Sequence, residues 1–380
     1  MFLDNSGKMC YNDNINFGLC QNKERKKDMK KTLYLLLTLA TAVGLLFTIA
    51  VCTSAEAAAA AVSVEITTAD GVTYLGQQPV KNGEDEITGY TETGAKDSMA
   101  AGSGTLAFDS ETGTLTMNNA TGIQKIYTEA GSLTIVVNGT NEVANAANAN
   151  YAIFVNCADA SLTLKGTGTL TASSQQYTIC NQLGDLIFEG SVKVNLSSTK
   201  GMDLIHVAAG ASGSDLIFKD NCEVNATAKG NAIQHKSEDG VTRITGNAKV
   251  TVTGDDVPGW AIGLLAYNFE MDGGTLTVNT KTSAKEIVGL QIEGIQTKQG
   301  SGKITGGTIN ISVESTGTDT SRAYAIFGKN FSQILVGGNA KLNLSVKNVG
   351  APNATHSSGV FGFQASKDPK SGHTLKLTGN

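Results

Sequence analysis

The sequence predicts an all-β chain wound as a three-faced parallel β-helix, and three observations predict it. First, one stretch is written repeatedly. Leu186–Leu196 reads LIFEGSVKVNL, Leu216–Ala226 reads LIFKDNCEVNA, Thr242–Val252 reads TRITGNAKVTV and Ile334–Leu344 reads ILVGGNAKLNL. Second, apolar and polar residues alternate on both sides of a central Gly or Asp turn, the period of strands with one buried face. Third, another apolar point follows later in each unit: Ile153, Ile179, Ile205, Ile233, Ile262, Leu290, Ile326 and Val360. Three short strands in units of roughly 24–40 residues suit a β-solenoid, and no 3.6-residue period competes.

Aligned on the turn, the ladder places Gly139, Gly166, Gly190, Asp220, Gly246, Gly273–Gly274, Gly306–Gly307, Gly338 and Gly379 in equivalent positions. Ahead of the turn, Ile135 and Val137, Leu162 and Leu164, Leu186 and Phe188, and Leu216 and Phe218 point inward. After it come Val194 and Leu196, Val224 and Ala226, Val250 and Val252, and Leu342 and Leu344. The expectation is about eight or nine coils from near Gly104, each rising about 4.8 Å.

The composition agrees with many strands joined by tight turns: 44 Gly and 4 Pro in 380 residues, with few charges and few aromatics. A formal net charge of −5 gives no electrostatic case for nucleic acid. Residues 1–28 are polar and aperiodic, and Met29 is the expected true start. A basic run ending at Lys31, the apolar run Leu33–Val51 and Ala55-Glu56-Ala57 form a secretory signal peptide. Cleavage near Ala57 is expected; an uncleaved membrane anchor competes, because the apolar run approaches a membrane span in length. Val51 before Cys52 argues against a lipoprotein signal. The domain reading is therefore 1–57 leader and signal peptide, 58–103 a β-rich cap, and 104–380 repeats. Within the cap, Val62–Ile66 and Val72–Leu75 read as strands and Gly83–Gly102 as an acidic loop. No polar C-terminal cap follows Leu377, so the chain is either truncated or ends on an open coil.

From Gly104 the chain reads GTLAFDSETGTLTMNNATGIQKIYTEAGSLTIVVNGTNEV, and GGTLTVN at Gly273–Asn279 and ITGGTINIS at Ile304–Ser312 repeat the pattern. These motifs resemble exported β-helix repeat proteins of Gram-positive bacteria, whose repeat region is often labelled carbohydrate-binding. The resemblance covers roughly residues 104–380. It implies a right-handed parallel β-helix, an exported or cell-surface location, and a glycan as a ligand class.

Several constellations carry chemistry. Asp185 and Asp215 precede LIF in successive units; each is read as satisfying backbone donors in a turn rather than forming a metal pair. Arg243 and Arg322 are the only arginines after the signal, and no acid cluster accompanies either at a matching repeat position. His206 and His235 follow their isoleucines by one and two places, so they point to opposite sides of the sheet. No catalytic residue is assigned. Cys157, Cys180 and Cys222 lack any metal-ligand or disulfide spacing, and Cys222 replaces Val192 and Ala248 at an inward place. No metal or cofactor is expected.

The best hint of a ligand is aromatic. Tyr151, Tyr177, Trp260 and Tyr324 each lie two places before the third apolar point and form the candidate binding column. Strand parity turns this column toward the core; an outward column would be a carbohydrate groove. Outward places carry Lys193, Glu223, Lys249, Thr277, Asn310 and Lys341 in one column. A second column, Asn195, Asn225, Thr251, Asn279, Ser312 and Asn343, suits side-chain ladders. The loops between second and third strands lengthen from Ser173–Gln176 to Ser315–Ala323 and Lys347–Ser358, and any ligand contact is expected on that edge. The functional expectation is a non-catalytic binding or adhesion module with a glycan or other extracellular surface ligand. A structural stalk and a polysaccharide lyase or hydrolase are the alternatives.

Overall fold

The computed structural model describes residues 2–3, 9–10 and 59–378. Within the last range 84–85, 145–149, 199, 201–202, 209–212, 255–259, 296–297, 318–321, 349–356 and 365–373 are excepted. Most of the leader and all of its apolar run thus lie outside the described residues, as do the predicted turn at Gly379 and most of the lengthening loop edge. The chain forms two compact units. In Met1–Thr53, Phe2–Leu3 pairs antiparallel with Met9–Cys10. Everything below concerns Ser54–Asn380.

That unit is a parallel β-solenoid, and its described residues contain no helix. A first face stacks Thr114–Asn118, Leu133–Asn138, Leu162–Gly166, Leu186–Phe188, Leu216–Phe218, Thr242–Ile244, Asn268–Met271, Gly300–Ile304, Ser332–Val336 and Thr374–Leu377. The second face begins at Thr140–Ala144 and runs through Lys193–Ser198 and Glu223–Ala228 to Lys341–Asn348. The third runs from Ile123–Thr128 through Tyr151–Val155, Tyr177–Asn181 and Ile205–Val207 to Ser357–Gln364. Every strand pairs in parallel with its equivalents in adjacent coils, as Leu186, Ile187 and Phe188 do with Leu216, Ile217 and Phe218.

The shared turn explains why one residue type keeps returning. Gly139, Gly190, Gly246, Gly274, Gly307 and Gly338 have φ of 67°, 72°, 65°, 69°, 76° and 59°. This left-handed region costs glycine no steric penalty. Asp220 holds the same place at φ 62°. Aspartate tolerates that conformation better than most residues, and here its Oδ2 accepts a 2.9 Å hydrogen bond from the Gly190 amide one coil away. The inward residues on either side are fully buried. Phe188 and Phe218 stack in the bore, 5.1 Å apart and 9° from parallel.

Parallel stacking starts at Thr114, not Gly104. Gly104–Asp109 runs antiparallel to Thr114–Asn118 on one side and to Ser98–Ala101 on the other. The third face is closed similarly. Ser63–Thr68 runs antiparallel to Ile123–Thr128 and to Gly71–Lys81, which in turn pairs with Ile87–Lys96. Gly83–Gly102 is therefore largely strand, contrary to its loop-like composition. An available edge supplies backbone partners, and the context-dependence of β preference does the rest. Such antiparallel strands cover the edge that a first coil would otherwise expose.

Two alignments shift in three dimensions. On the third face Ile233 pairs with Leu264, Leu264 with Leu290, and Ile326 with Phe361. Leu264 and Phe361, rather than Ile262 and Val360, continue the inward column. On the second face the tight Gly-Gly-Thr turns skip residues: Lys249 follows Gly246 by three places and Thr275 follows Gly274 by one, yet the two are in register. Thr277 and Asn310 consequently join Asn195, Asn225, Thr251 and Asn343, while Asn279 and Ser312 move one column on. The corrected column makes a ladder: Asn225 Nδ2 donates to Asn195 Oδ1 at 3.0 Å, and Asn343 Nδ2 to Asn310 Oδ1 at 2.8 Å.

His235 is fully buried, with Nδ1 2.8 Å from Thr242 Oγ1 and Nε2 2.8 Å from the Ser214 carbonyl. Burial drives its pKa from 6.5 down to about 4. The unfolded chain takes up a proton below pH 6.5 that the folded chain refuses until about pH 4. Stability is complete above the first value and falls as the pH drops toward the second, by on the order of 3 kcal/mol. His235→Gln should flatten that slope in urea titrations across the interval. Separately, Phe218→Ala empties half of the bore's ring stack and should cost about 3–5 kcal/mol, read as a lowered urea midpoint.

Candidate functional site: an outward aromatic strip and a cap pocket

The third face carries the site because its strands break simple alternation. Ala152 and Ile153 are adjacent, yet both are fully buried in the core. Two consecutive inward residues leave Tyr151 and Phe154 on the outside, both half-buried. The parity that would send Tyr151 inward fails at this irregularity. Tyr151 and Tyr177 are in register, with rings 5.5 Å apart and 16° from parallel. Tyr151 also stacks on Phe154 at 4.3 Å, and Phe154 meets Tyr127 at 5.5 Å. At the other end Tyr177 touches the His206 ring at 4.8 Å. Tyr127, Phe154, Tyr151, Tyr177 and His206 thus form a continuous outward strip along the solenoid axis.

The other two predicted aromatics stand apart from it. Tyr324 is in register with Val288, and Val288 with Ile262. These residues form a separate apolar cluster with Leu265 and Phe327, on the outer side of the third face. Tyr324 stacks on Phe327 at 4.9 Å. Trp260 pairs with Glu286, two residues out of the column, because Leu264 rather than Ile262 is the inward anchor. Its ring is 53% exposed, with Lys329 Nζ 5.7 Å from the centroid. Tyr324 therefore keeps the column of Tyr151 and Tyr177 several coils farther along, and Trp260 alone of the four leaves it.

Beyond Tyr127 the strip runs into a pocket of about 330 Å³ that no sequence pattern announced. Tyr127 is in register with Glu65, and Glu65 with Tyr74, so the cap strands extend the outer surface of the third face. Gly71–Lys81 then turns away at Gly76, where the register shifts and φ is 78°. A side chain there would overlap the Val62 carbonyl and the Phe108 ring. The second half of that strand brings Pro79 opposite Tyr90, and these form a wall over the floor. Lys125 Nζ bonds Glu65 Oε1 at 2.7 Å and lies 4.6 Å from the Tyr127 ring centre. Tyr74 donates to Glu65 Oε2 at 3.3 Å, and Tyr127 donates to Glu129 Oε2 at 3.0 Å. Burial, then the Glu129 charge, pushes Tyr90 up to about 12; burial also raises Tyr127 and Tyr74.

Several charged groups elsewhere are engaged with one another or with backbone amides. Asp185 Oδ1 accepts the Asp215 amide at 2.7 Å, and Asp215 Oδ1 the Val241 amide at 2.8 Å, each in the next coil. The turn-satisfying role is the one observed. Both arginines do have acids in register, correcting the sequence reading. Arg243 pairs with Asp215 and, at 3.2 Å, with Glu270; Arg322 lies 3.3 Å from Glu286. Beside Arg243 a shallower space of about 250 Å³ includes Glu270, Asp272 and Lys303. His206 and His235 occupy adjacent columns on opposite sides of the sheet, as their spacing requires. Asp203, His206 and Cys180 do come near one another, His206 Nδ1 being 3.0 Å from Asp203 Oδ2 and His206 in register with Cys180. Burial, with a further push from Asp203, raises the Cys180 thiol far above its ordinary range. That is the opposite of what a nucleophilic thiolate needs. Cys157, Cys180 and Cys222 are free thiols, and Cys222 is fully buried at its inward place. Among the described residues no group of three His, Cys, Asp or Glu is placed to hold a metal ion.

Fold and surface together define a parallel β-solenoid with an outward aromatic strip ending in a cap pocket. Comparison with protein-family models, curated proteins and solved structures finds no match to this chain.

The raised phenols make a prediction at alkaline pH. Unfolded tyrosine ionises near 10.0, whereas Tyr90 in the fold holds its proton to about 12. Stability therefore falls as the pH rises through that interval. Tyr90→Phe should reduce the slope and remove the step near 12 from a phenolate absorbance titration, leaving the Tyr127 step above it.

Proposed function

We propose that this chain is a non-catalytic, exported or cell-surface binding module that holds a glycan along the strip from Tyr127 to His206. The observation that carries the reading is the run of rings in contact over successive coils. Aromatic faces bear negative potential and accept polarised C–H groups, which a pyranose ring presents. Tyrosine adds a hydroxyl for polar contact at the rim. A repeating ligand on a repeating surface gains affinity from many weak contacts, so no single residue need dominate. The sequence supports export through the basic run, apolar stretch and Ala55-Glu56-Ala57. Its resemblance to exported β-helix repeat proteins of Gram-positive bacteria points to the same place and ligand class. The net charge of −5 disfavours nucleic acid as a partner.

The test is a glycan array with the full-length chain, run beside a cleavage assay on uronic-acid polymers. Binding without cleavage is expected. Tyr151→Ala and Tyr177→Ala should each weaken binding on the order of tenfold, about 1.4 kcal/mol. Uronate cleavage would make the protein a lyase, and silence in both assays would leave a stalk.

A further inference from the structure

We infer that the cap pocket is the terminal subsite of this strip and takes one uncharged sugar unit at the end of a glycan. The inference rests on the glycan-binding reading and adds where the chain ends and which sugars are admitted.

Geometry supplies the end. The outer surface of the third face is open from His206 to Tyr127 but meets a wall where Gly71–Lys81 leaves the sheet at Gly76 and carries Pro79 and Tyr90 over the floor. A polymer lying along the strip cannot continue straight past that wall, so its last unit enters the space beneath it. At about 330 Å³ the pocket falls at the small end of the range for ligand sites. Tyr74, Tyr90 and Tyr127 supply both ring faces and hydroxyls, the combination of apolar lining with a few placed polar groups that fixes a ligand's orientation.

Charge supplies the selectivity. Lys125 is held by Glu65 and lies against the Tyr127 ring, so its charge is committed. Glu129 accepts one bond from Tyr127 and, half-buried, is in no ion pair among the described residues, whereas Lys81, which also lines the pocket, is exposed and its charge more screened by water. The same negative charge helps hold the Tyr74, Tyr90 and Tyr127 phenols protonated. The Tyr74 and Tyr127 protons are given to Glu65 and Glu129, which leaves those hydroxyl oxygens as acceptors and the Tyr90 hydroxyl as a donor to the sugar, and a uronate or other acidic unit brought beside Glu129 is repelled.

The experiment measures binding of the full-length chain to short neutral oligosaccharides and to uronate oligomers of equal length, comparing Tyr90→Ala, Tyr90→Phe, Glu129→Gln and Tyr177→Ala with the unaltered protein. Neutral oligosaccharides should bind and uronates should not. Tyr90→Ala should weaken the neutral ligand about tenfold and Tyr90→Phe by a smaller factor. Glu129→Gln should raise uronate binding several-fold while keeping the neutral ligand. Circular dichroism checks that each variant folds. If Tyr177→Ala weakens binding but the three pocket variants do not, the subsite is wrong and the strip stands. If uronates bind the unaltered protein as well as neutral glycans do, the charge selectivity is wrong. If no glycan binds at all, both readings fall together.

Discussion

Each coil must hand its backbone hydrogen bonds to the next at the same places, and everything else in the solenoid follows from that constraint. A buried amide or carbonyl without a partner is costly, so the strands can vary in side chain but hardly in register. The turns hold the register. Left-handed glycines at Gly139, Gly190, Gly246, Gly274, Gly307 and Gly338 bend the chain from the first face to the second at the same corner of each coil. Where a side chain stands there instead, as at Asp220, it bonds the amide of the neighbouring coil. Asp185 and Asp215 perform a related service ahead of the first face, each accepting an amide one coil on. The polar residues that look most like chemistry in the sequence are in large part the fasteners of the stack.

The same register turns any outward residue type into a column, and this is how a solenoid builds a surface without a constellation. Asparagines become a ladder on the second face. Aromatic residues become a strip on the third, because Ala152 and Ile153 both turn inward and leave the rings outside. Farther along the axis the outer columns hold Leu265, Val288 and Phe327, all buried, so the run of rings in mutual contact lies near the N-terminal end and Trp260 stands exposed by itself. The cap adds strands to that end of the sheet, then lifts one of them at Gly76. Strip and pocket are consequences of one continuous pairing network.

This arrangement bears on the choice between binding and catalysis. Acid–base chemistry needs charged groups held ready for a substrate. Here Arg243 is shared between Asp215 and Glu270, Arg322 pairs with Glu286, and the Cys180 thiol is suppressed by burial. The proposed glycan reading draws instead on the aromatic strip of the third face.

The sequence by itself determined the solenoid. A left-handed turn flanked by alternating apolar residues is a local requirement, so each repeat announces it independently, and the buried columns from Ile135 to Phe218 could be read directly. It also determined that His206 and His235 oppose each other and that Cys222 fills a core place, since both depend only on parity within a strand. Parity failed where the backbone departs from it. The adjacent inward pair at Ala152 and Ile153 reversed the facing of Tyr151, and the choice of Leu264 over Ile262 displaced Trp260 from the column. Short Gly-Gly-Thr turns moved Thr277 and Asn310 for the same reason. The cap pocket was beyond reach altogether. Glu65, Tyr90 and Tyr127 come from segments with no common period, and the polar stretch after Gly83 becomes strand only because an open edge waits for it. Local backbone demands are written in the residues that meet them, whereas the meeting of distant segments is decided only when the edges pair.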